Sequence, residues 1–219
     1  MGVNSIRKST KTKKKNSIDV LFDEVEFEIP SWNQIYSFLL EISNTIQHNG
    51  FQADIILGVS RGGWIPARIL SDLLGNPMLA NIKAEFYIGA TKSSCKPIIT
   101  QPASVSVEEK TILLVDDVAD SGESLRLVHS HLKEHGASTI RIATIYYKPW
   151  SGIVPDYYAK KTSLWIVFPW EIKETIGKTL EKFRDKGRTV KDAEDKLINM
   201  GLERQLVERF AREILGDEY

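Results

Sequence analysis

The chain has a single cysteine, Cys95, among its 219 residues. One cysteine excludes an internal disulfide and leaves no second thiol for a metal site, so we predict a cytoplasmic protein. No apolar run approaches the roughly 20 residues that cross a bilayer. The basic N-terminus is not followed by the apolar segment of a signal peptide, and we therefore expect no membrane partner.

Net charge is also lacking, since 29 basic residues balance 29 acidic ones. The balance hides an uneven distribution, because six cations precede the first acid, Asp19. Without these six the basic residues fall to 23, and the remaining chain has a net charge of −6. We predict that residues 1–17 form a solvated, disordered tail. Basic runs can also bind nucleic acid, but we expect no nucleic-acid partner here.

Apolar periodicity divides the rest of the chain into alternating strands and helices. We predict strands over residues 54–59, 111–115, 139–147 and 163–168, one or two more within 77–88, and helices that begin near Ser31, Ile65 and Glu123. The alternation predicts an α/β fold with a parallel sheet flanked by helices. Residues 89–106 have no clear period and are predicted to form a long loop. From Ile172 only helical patterns remain, so we predict a domain over residues 18–171 and a helical extension over residues 172–219.

Two adjacent carboxylates end the strand 111–115 and precede a helix. Asp116 and Asp117 are followed by Val118-Ala-Asp-Ser-Gly122, at the strand end where parallel sheets bind ligands. The N–H groups of the loop and of the helix N-terminus favour a phosphate. The carboxylates favour sugar hydroxyls and a hydrated divalent cation. Together these groups predict a site for a ribose 5-phosphate.

The same segment carries a family resemblance. Residues 112–122, Ile-Leu-Leu-Val-Asp-Asp-Val-Ala-Asp-Ser-Gly, resemble the phosphoribosyl-pyrophosphate (PRPP) motif of the type I phosphoribosyltransferases, with Ser121 in place of the usual threonine. The resemblance implies that Asp116 and Asp117 hold the ribose hydroxyls, directly or through Mg²⁺. It further implies a 5′-phosphate site formed by Asp120, Ser121, Gly122, Glu123 and Ser124.

A second glycine-containing loop, Ser60-Arg-Gly-Gly63, follows the first predicted strand. It exposes main-chain N–H groups, and its guanidinium can form two hydrogen bonds to a phosphate. The loop resembles the pyrophosphate loop of the bacterial xanthine-guanine branch of the family. The resemblance implies a non-proline cis peptide in this loop and a pyrophosphate site formed by Ser60, Arg61, Gly62 and Gly63.

Lys148, at the end of the third predicted strand, indicates which kind of base the site binds. An ammonium group there would bind the exocyclic oxygen of guanine, hypoxanthine or xanthine and would disfavour the amino group of adenine. A lysine at a strand end is otherwise a solvated surface residue.

Residues 165–171, Trp-Ile-Val-Phe-Pro-Trp-Glu, resemble a base-binding segment of the xanthine-guanine enzymes. The resemblance implies that Trp165 stacks on the purine and that Ile166 offers main-chain groups to its edge. It implies that Glu171, where the family usually has Asp, lies near N2 of the base and a pyrophosphate-bound Mg²⁺. The alternative is that Trp165 and Trp170 are core aromatics.

These motifs together predict a Mg²⁺-dependent enzyme of purine salvage. It would transfer the 5-phosphoribosyl group from PRPP to N9 of a 6-oxopurine, giving a nucleoside 5′-monophosphate and pyrophosphate. Asp120 is the candidate that handles the proton of the purine, and Arg61 the candidate that stabilises departing pyrophosphate. The metal would be held by Asp116, Asp117 and Glu171.

Two other functions are compatible with the PRPP motif. One is an adenine phosphoribosyltransferase, which Lys148 disfavours. The other is a PRPP-sensing regulator that binds nucleic acid and has no filled base pocket. The resemblance also implies a homo-oligomer, a dimer or a tetramer. The apolar faces of the helices after residue 172 could serve this assembly or form a small hood over the base.

Overall fold

The protein is described by a computed structural model over residues 26–76, 78–88 and 95–216. Its contacts divide the chain into two compact units. The sheet unit holds residues 30–163, and the helical unit joins the chain up to Ile29 with the residues from Leu164 onward. The predicted tail, residues 1–17, lies outside the described residues, and the predicted domain boundary at residues 171 and 172 stays a prediction.

The sheet unit is built on six strands, β2 (Ile55–Ser60), β3 (Leu79–Ile88), β4 (Cys95–Gln101), β5 (Thr111–Ala119), β6 (Thr139–Tyr147) and β7 (Tyr157–Lys161). They lie in the order β4-β3-β2-β5-β6-β7. Every neighbouring pair is parallel except β3 and β4, which are antiparallel. The helices of this unit are α1 (Trp32–His48), α2 (Trp64–Leu73) and α3 (Glu123–Glu134). The predicted α/β fold is confirmed.

Local sequence explains why these elements form. The side-chain oxygen of Ser31 accepts a hydrogen bond from the N–H of Gln34 (3.2 Å), and the side chain of Gln34 accepts one from the N–H of Ser31 (2.8 Å), which starts α1 with a capping box. The apolar residues Ile35, Leu39, Ile42 and Ile46 of α1 are buried. Residues 55–59 of β2 and 112–115 of β5 are buried without a break, as is expected of parallel strands covered on both faces.

The predicted loop over residues 89–106 is wrong in part, because β4 lies within it. This strand pairs with β3 at the edge of the sheet, from Lys83 with Gln101 to Ile88 with Cys95. It contains Pro97, which only an edge strand tolerates, and it lacks a buried apolar run. Because of these two properties, β4 produces no periodic apolar pattern in the sequence. Residues 89–94 lie outside the described residues.

The fourth predicted strand of the sheet is also wrong. The sixth position is filled by β7, whose sequence Tyr-Tyr-Ala-Lys-Lys is mostly exposed. Of the predicted strand 163–168 only β8 (Trp165–Ile166) forms, and it pairs with β1 (Phe27–Glu28) in a separate two-stranded parallel sheet. An exposed edge strand gives no apolar signal, whereas the run ending at Phe168 does.

The helical unit contains the three predicted C-terminal helices, α4 (Ile172–Asp185), α5 (Val190–Asn199) and α6 (Arg204–Leu215). Their apolar faces share one core with Val167, and partly buried Phe27 and Ile29 pack against it. Thr189 starts α5 with a second capping box, formed with Asp192. No helix in the described part of the chain combines the length and the apolarity needed to cross a membrane.

Candidate active site

The two predicted phosphate loops lie side by side, because their strands are neighbours. β2 and β5 run parallel, with Gly58 opposite Val115, so the carboxyl ends of both strands reach the same edge of the sheet. β6 lies on the other side of β5 with Ala119 opposite Tyr147. β5 continues through Ala119, so Asp116 and Asp117 belong to the strand itself rather than to the loop after it.

Gly62 and Gly63 allow the pyrophosphate loop to contact the acidic pair directly. A Cβ on Gly62 would lie 2.5 Å from Cγ of Asp117, closer than real Cβ atoms approach. A Cβ on Gly63 would lie 2.7 Å from the carbonyl oxygen of Val59 and 2.8 Å from Cα of Asp116. Gly63 is therefore required by its close approach to main-chain atoms, whereas the close contact at Gly62 is with a side chain.

The Ser60–Arg61 peptide bond is cis, which confirms the expectation from the family resemblance. The Ser60 hydroxyl accepts a hydrogen bond from Nδ2 of Asn81 on β3 (3.1 Å). The side chain of Arg61 is exposed. Of the predicted pyrophosphate residues, Ser60 thus ends β2, and Arg61, Gly62 and Gly63 form the short turn before α2.

Burial raises the pKa of Asp116 well above its usual range, and the negative charge of the neighbouring Asp117 raises it further. The N–H of Asp117 donates to Oδ1 of Asp116 (3.0 Å), and the N–H of Val118 donates to Oδ1 of Asp117 (2.8 Å). Sugar hydroxyls or a divalent cation would relieve the repulsion between the two carboxylates. A cation held by Asp116 and Asp117 would also bind water and substrate oxygens, a ligand set that suits Mg²⁺.

The loop from Asp120 to Ser124 ends at the N-terminus of α3. Gly122 adopts a left-handed conformation with φ of 79°, and no side chain in the described part of the chain caps the helix there. Ser121 instead accepts a hydrogen bond from the N–H of Glu123 through its hydroxyl (3.3 Å). The first-turn N–H groups and the helix dipole are suited to a phosphate.

Lys148 is buried, with 5% of its surface exposed, so it is not the solvated surface lysine of the alternative interpretation. Its main-chain N–H donates to the carbonyl oxygen of Ala119 (3.0 Å), which fastens the end of β6 next to Asp120. Lys148 thus lies at the carboxyl end of β6, next to the strand β5 that leads into the predicted ribose phosphate site.

The segment after Lys148 belongs to none of the predicted motifs, although it contacts the predicted site. The indole N–H of Trp150 donates to Oδ1 of Asp120 (2.8 Å), and the main-chain N–H of Gly152 donates to the carbonyl oxygen of Ser121 (2.9 Å). Trp150 is also 58% exposed. In the sequence the only signal for this residue was its place two positions after Lys148, in Lys-Pro-Trp.

The remaining predicted base-binding residues belong to the helical unit. Trp165 is 53% exposed on β8, which argues against a core role, whereas Trp170 stacks on Phe168 with ring centroids 4.6 Å apart. The N–H groups of Trp165 and Val167 donate to the carbonyl oxygens of Glu26 and Glu28. Strand alternation therefore directs the main-chain groups of the buried Ile166 to the opposite edge.

Glu171 precedes α4 and is partly buried. Its Oε1 accepts a hydrogen bond from the N–H of Phe168 (3.2 Å). One carboxylate oxygen is therefore engaged locally.

Comparison with known proteins identifies the same region. The family model described as the phosphoribosyl transferase domain matches residues 28–175. The chain is 30% identical over 149 residues to a xanthine-guanine phosphoribosyltransferase of Cereibacter sphaeroides, covering 65% of this chain and 85% of the relative. A second such enzyme, from Gluconobacter oxydans, is 26% identical over 151 residues and is covered to 86%.

A solved structure of a purine phosphoribosyltransferase from Pyrococcus horikoshii is 39% identical. The match has a TM-score of 0.60 and covers 66% of this chain and 93% of the relative. The matched region holds both glycine-containing loops and all predicted base-binding residues.

Proposed function

Because this chain belongs to the phosphoribosyltransferase family, we propose that it transfers the 5-phosphoribosyl group of PRPP to N9 of a 6-oxopurine. The products are a nucleoside 5′-monophosphate and pyrophosphate. The relatives named above are purine phosphoribosyltransferases, and this chain is likewise a purine phosphoribosyltransferase.

One observation carries the choice of base. The buried Lys148 is held by a main-chain hydrogen bond at Ala119, one residue before Asp120. A buried cation at the base end of the site favours an exocyclic carbonyl oxygen and disfavours an amino group. Guanine, hypoxanthine and xanthine carry the carbonyl, whereas adenine carries the amino group.

In the proposed step the lone pair of N9 forms a bond to C1′ of PRPP as the bond from C1′ to the pyrophosphate oxygen breaks. The electron pair of that bond leaves with pyrophosphate, which the N–H groups of the loop at Gly62 and Gly63 and the guanidinium of Arg61 stabilise. The proton on N7 of the purine passes to the carboxylate of Asp120. Most of the rate enhancement is assigned to positioning of the two substrates.

Asp116 and Asp117 would bind the ribose hydroxyls and Mg²⁺, and the loop from Asp120 to Ser124 would bind the 5′-phosphate. When bound, Mg²⁺ would neutralise charge on the pyrophosphate. We assign Trp165 to base stacking, Ile166 to the base edge and Glu171 to the metal by resemblance. The exposed ring of Trp165 supports its assignment.

The test is a pyrophosphate-release assay with PRPP, Mg²⁺ and each of guanine, hypoxanthine, xanthine and adenine, repeated with a chelator. We expect turnover with at least one 6-oxopurine, at most weak turnover with adenine, and loss of activity with the chelator. Faster turnover with adenine would favour an adenine enzyme. Tight PRPP binding without turnover of any base would favour a PRPP-sensing regulator.

The role of Trp165 is tested separately. Trp165→Ala should raise the KM for the base by about tenfold and leave the KM for PRPP within about twofold, because a lost stacking contact removes binding of the base alone. Trp32→Phe, at another exposed tryptophan, is the control. Equal effects of Trp165→Ala on both KM values would mean that Trp165 is structural.

A further inference from the structure

Trp150 contacts both groups that the proposed reaction assigns to the purine. Its indole N–H donates to Oδ1 of Asp120 (2.8 Å), and Nζ of Lys148 lies 5.5 Å from the centroid of its ring. These contacts come from one side chain in the turn that follows β6. No motif in the sequence predicted a role for it.

The main chain holds this turn against the phosphate loop. The N–H of Ser151 donates to the carbonyl oxygen of Lys148 (3.0 Å), which closes the turn, and Nη2 of Arg126 on α3 donates to the carbonyl oxygen of Gly152 (2.9 Å). A Cβ on Gly122 would lie 2.9 Å from both the N atom of Ile153 and the hydroxyl oxygen of Ser151. The turn therefore lies directly on the loop that carries Asp120.

Burial does not explain a tryptophan at this position, because 58% of its surface is exposed. The contacts that distinguish it from another aromatic residue are the indole N–H bond to Asp120 and the ring beside Lys148. Phenylalanine could keep the ring contact but has no hydrogen to donate.

We propose that Trp150 is a positioning residue for the phosphoribosyl transfer, an inference that rests on the proposed function. Its N–H occupies Oδ1 of Asp120 and fixes the plane of the carboxylate. Oδ2 accepts no hydrogen bond within the part of the chain that the structure describes, so Oδ2 is the oxygen that takes the proton from N7. The ring contacts the ammonium group of Lys148 (5.5 Å to the ring centroid), so one side chain links the two groups that the proposed reaction assigns to the base.

The test compares Trp150→Phe, which removes only the donor, with Trp150→Leu, which also removes the ring. Trp150→Phe should lower kcat about tenfold, as expected for one hydrogen bond to a charged group, and leave the KM for PRPP within about twofold. Trp150→Leu should in addition raise the KM for the base. In an Asp120→Ala background, Trp150→Phe should change kcat by less than about twofold, because the residue acts through Asp120.

A readout without substrate accompanies these assays. The indole N–H resonance of Trp150 should move when Asp120 is replaced by alanine, and Trp32→Phe should change neither that resonance nor kcat. If the wild type turns over purines but Trp150→Phe keeps its kcat, or if the effects of Trp150→Phe and Asp120→Ala simply add, the positioning role is wrong and the proposed function stands. If the wild type turns over no purine, the proposed function fails and this inference fails with it.

Discussion

Gly63 in the sheet unit and Gly177 in the helical unit are under opposite steric constraints. At Gly63 in the sheet unit, an added Cβ would meet main-chain atoms of both β2 and β5. At Gly177 in the helical unit, within α4, it would meet only Cδ1 of Ile214 at 3.5 Å, an ordinary van der Waals distance. Gly63 therefore allows the turn after β2 to lie against the main chain of β5, whereas no close contact requires glycine at position 177.

Each unit buries a charged side chain, Lys148 in the sheet unit and Glu194 in the helical unit. The sheet unit buries Lys148 and places Asp116 where burial raises its pKa. The helical unit carries ion pairs on exposed side chains, such as Lys173 with Glu213 (2.6 Å) and Lys178 with Glu174 (2.7 Å). Exposed pairs contribute little to stability, so the helical unit depends mainly on its apolar core. In the sheet unit Lys148 and Asp116 are assigned to the proposed reaction, whereas the buried Glu194 of the helical unit is not.

The largest effect is expected from Gly63→Ala. The new methyl group meets the carbonyl oxygens of Val59 and Val115, and neither strand can move without disturbing the sheet. We expect the free energy of unfolding to fall by about 3 kcal/mol and kcat/KM for PRPP to fall about 100-fold or more. Denaturant unfolding and pyrophosphate release measure the two. A stable, active variant would show that the two loops do not need this contact.

The next effect belongs to the helical unit. Leu197 is fully buried in the core shared by α4, α5 and α6. Leu197→Ala should lower the free energy of unfolding by about 2–5 kcal/mol through lost burial and the cavity left behind. Exposed Leu40→Ala is the control and should cost much less. Hydrogen exchange should locate the loss in the helical unit, and a uniform loss in both units would contradict their description as separate compact units.

Gly62→Ala should affect binding more than stability. Its methyl group would meet the side chain of Asp117, which can rotate away, rather than main-chain atoms. Rotation would break the bond from the N–H of Val118 to Asp117 and displace the carboxylate from the ribose site. We expect PRPP affinity, measured by calorimetry, to fall about tenfold, with a stability loss of about 1 kcal/mol. Loss of stability equal to that of Gly63→Ala would show that the two glycines have the same role.

The smallest effect, and one of opposite sign, is expected from Gly177→Ala. The position is helical and has room for a methyl group, so the better helix propensity of alanine should raise the free energy of unfolding by about 0.5–1 kcal/mol. Thermal unfolding measures the gain. Destabilisation would mean that the contact with Ile214 is tighter than 3.5 Å suggests.

Much of the fold was predictable because it follows local rules. The strands β2, β5 and β6 carry apolar runs that only burial explains, and α1 begins at a capping box visible in the sequence. The edge strands β4 and β7 were missed because an edge strand is held mainly by main-chain hydrogen bonds to one neighbour, and such bonds leave no side-chain pattern. The apolar run at 163–168 was assigned to the wrong sheet. An apolar pattern indicates that a strand is buried, but it does not specify the partner strand.

The candidate site shows the same division. The two glycine-containing loops could be recognised because phosphate binding requires residue types that stand together in the chain. Trp150 could not, because its contact with Asp120 joins residues 30 positions apart in the sequence.

The sequence by itself determined that the chain alternates buried strands with amphipathic helices, that it carries an acidic pair before a glycine turn, and that it belongs with the phosphoribosyltransferases. These features depend on residue type and local spacing. Only the tertiary structure decided that Gly62 lies against Asp117, that Lys148 is buried, and that Trp150 donates to Asp120. Each of these contacts depends on which strands are neighbours, and strand order is set by the packing of the whole sheet.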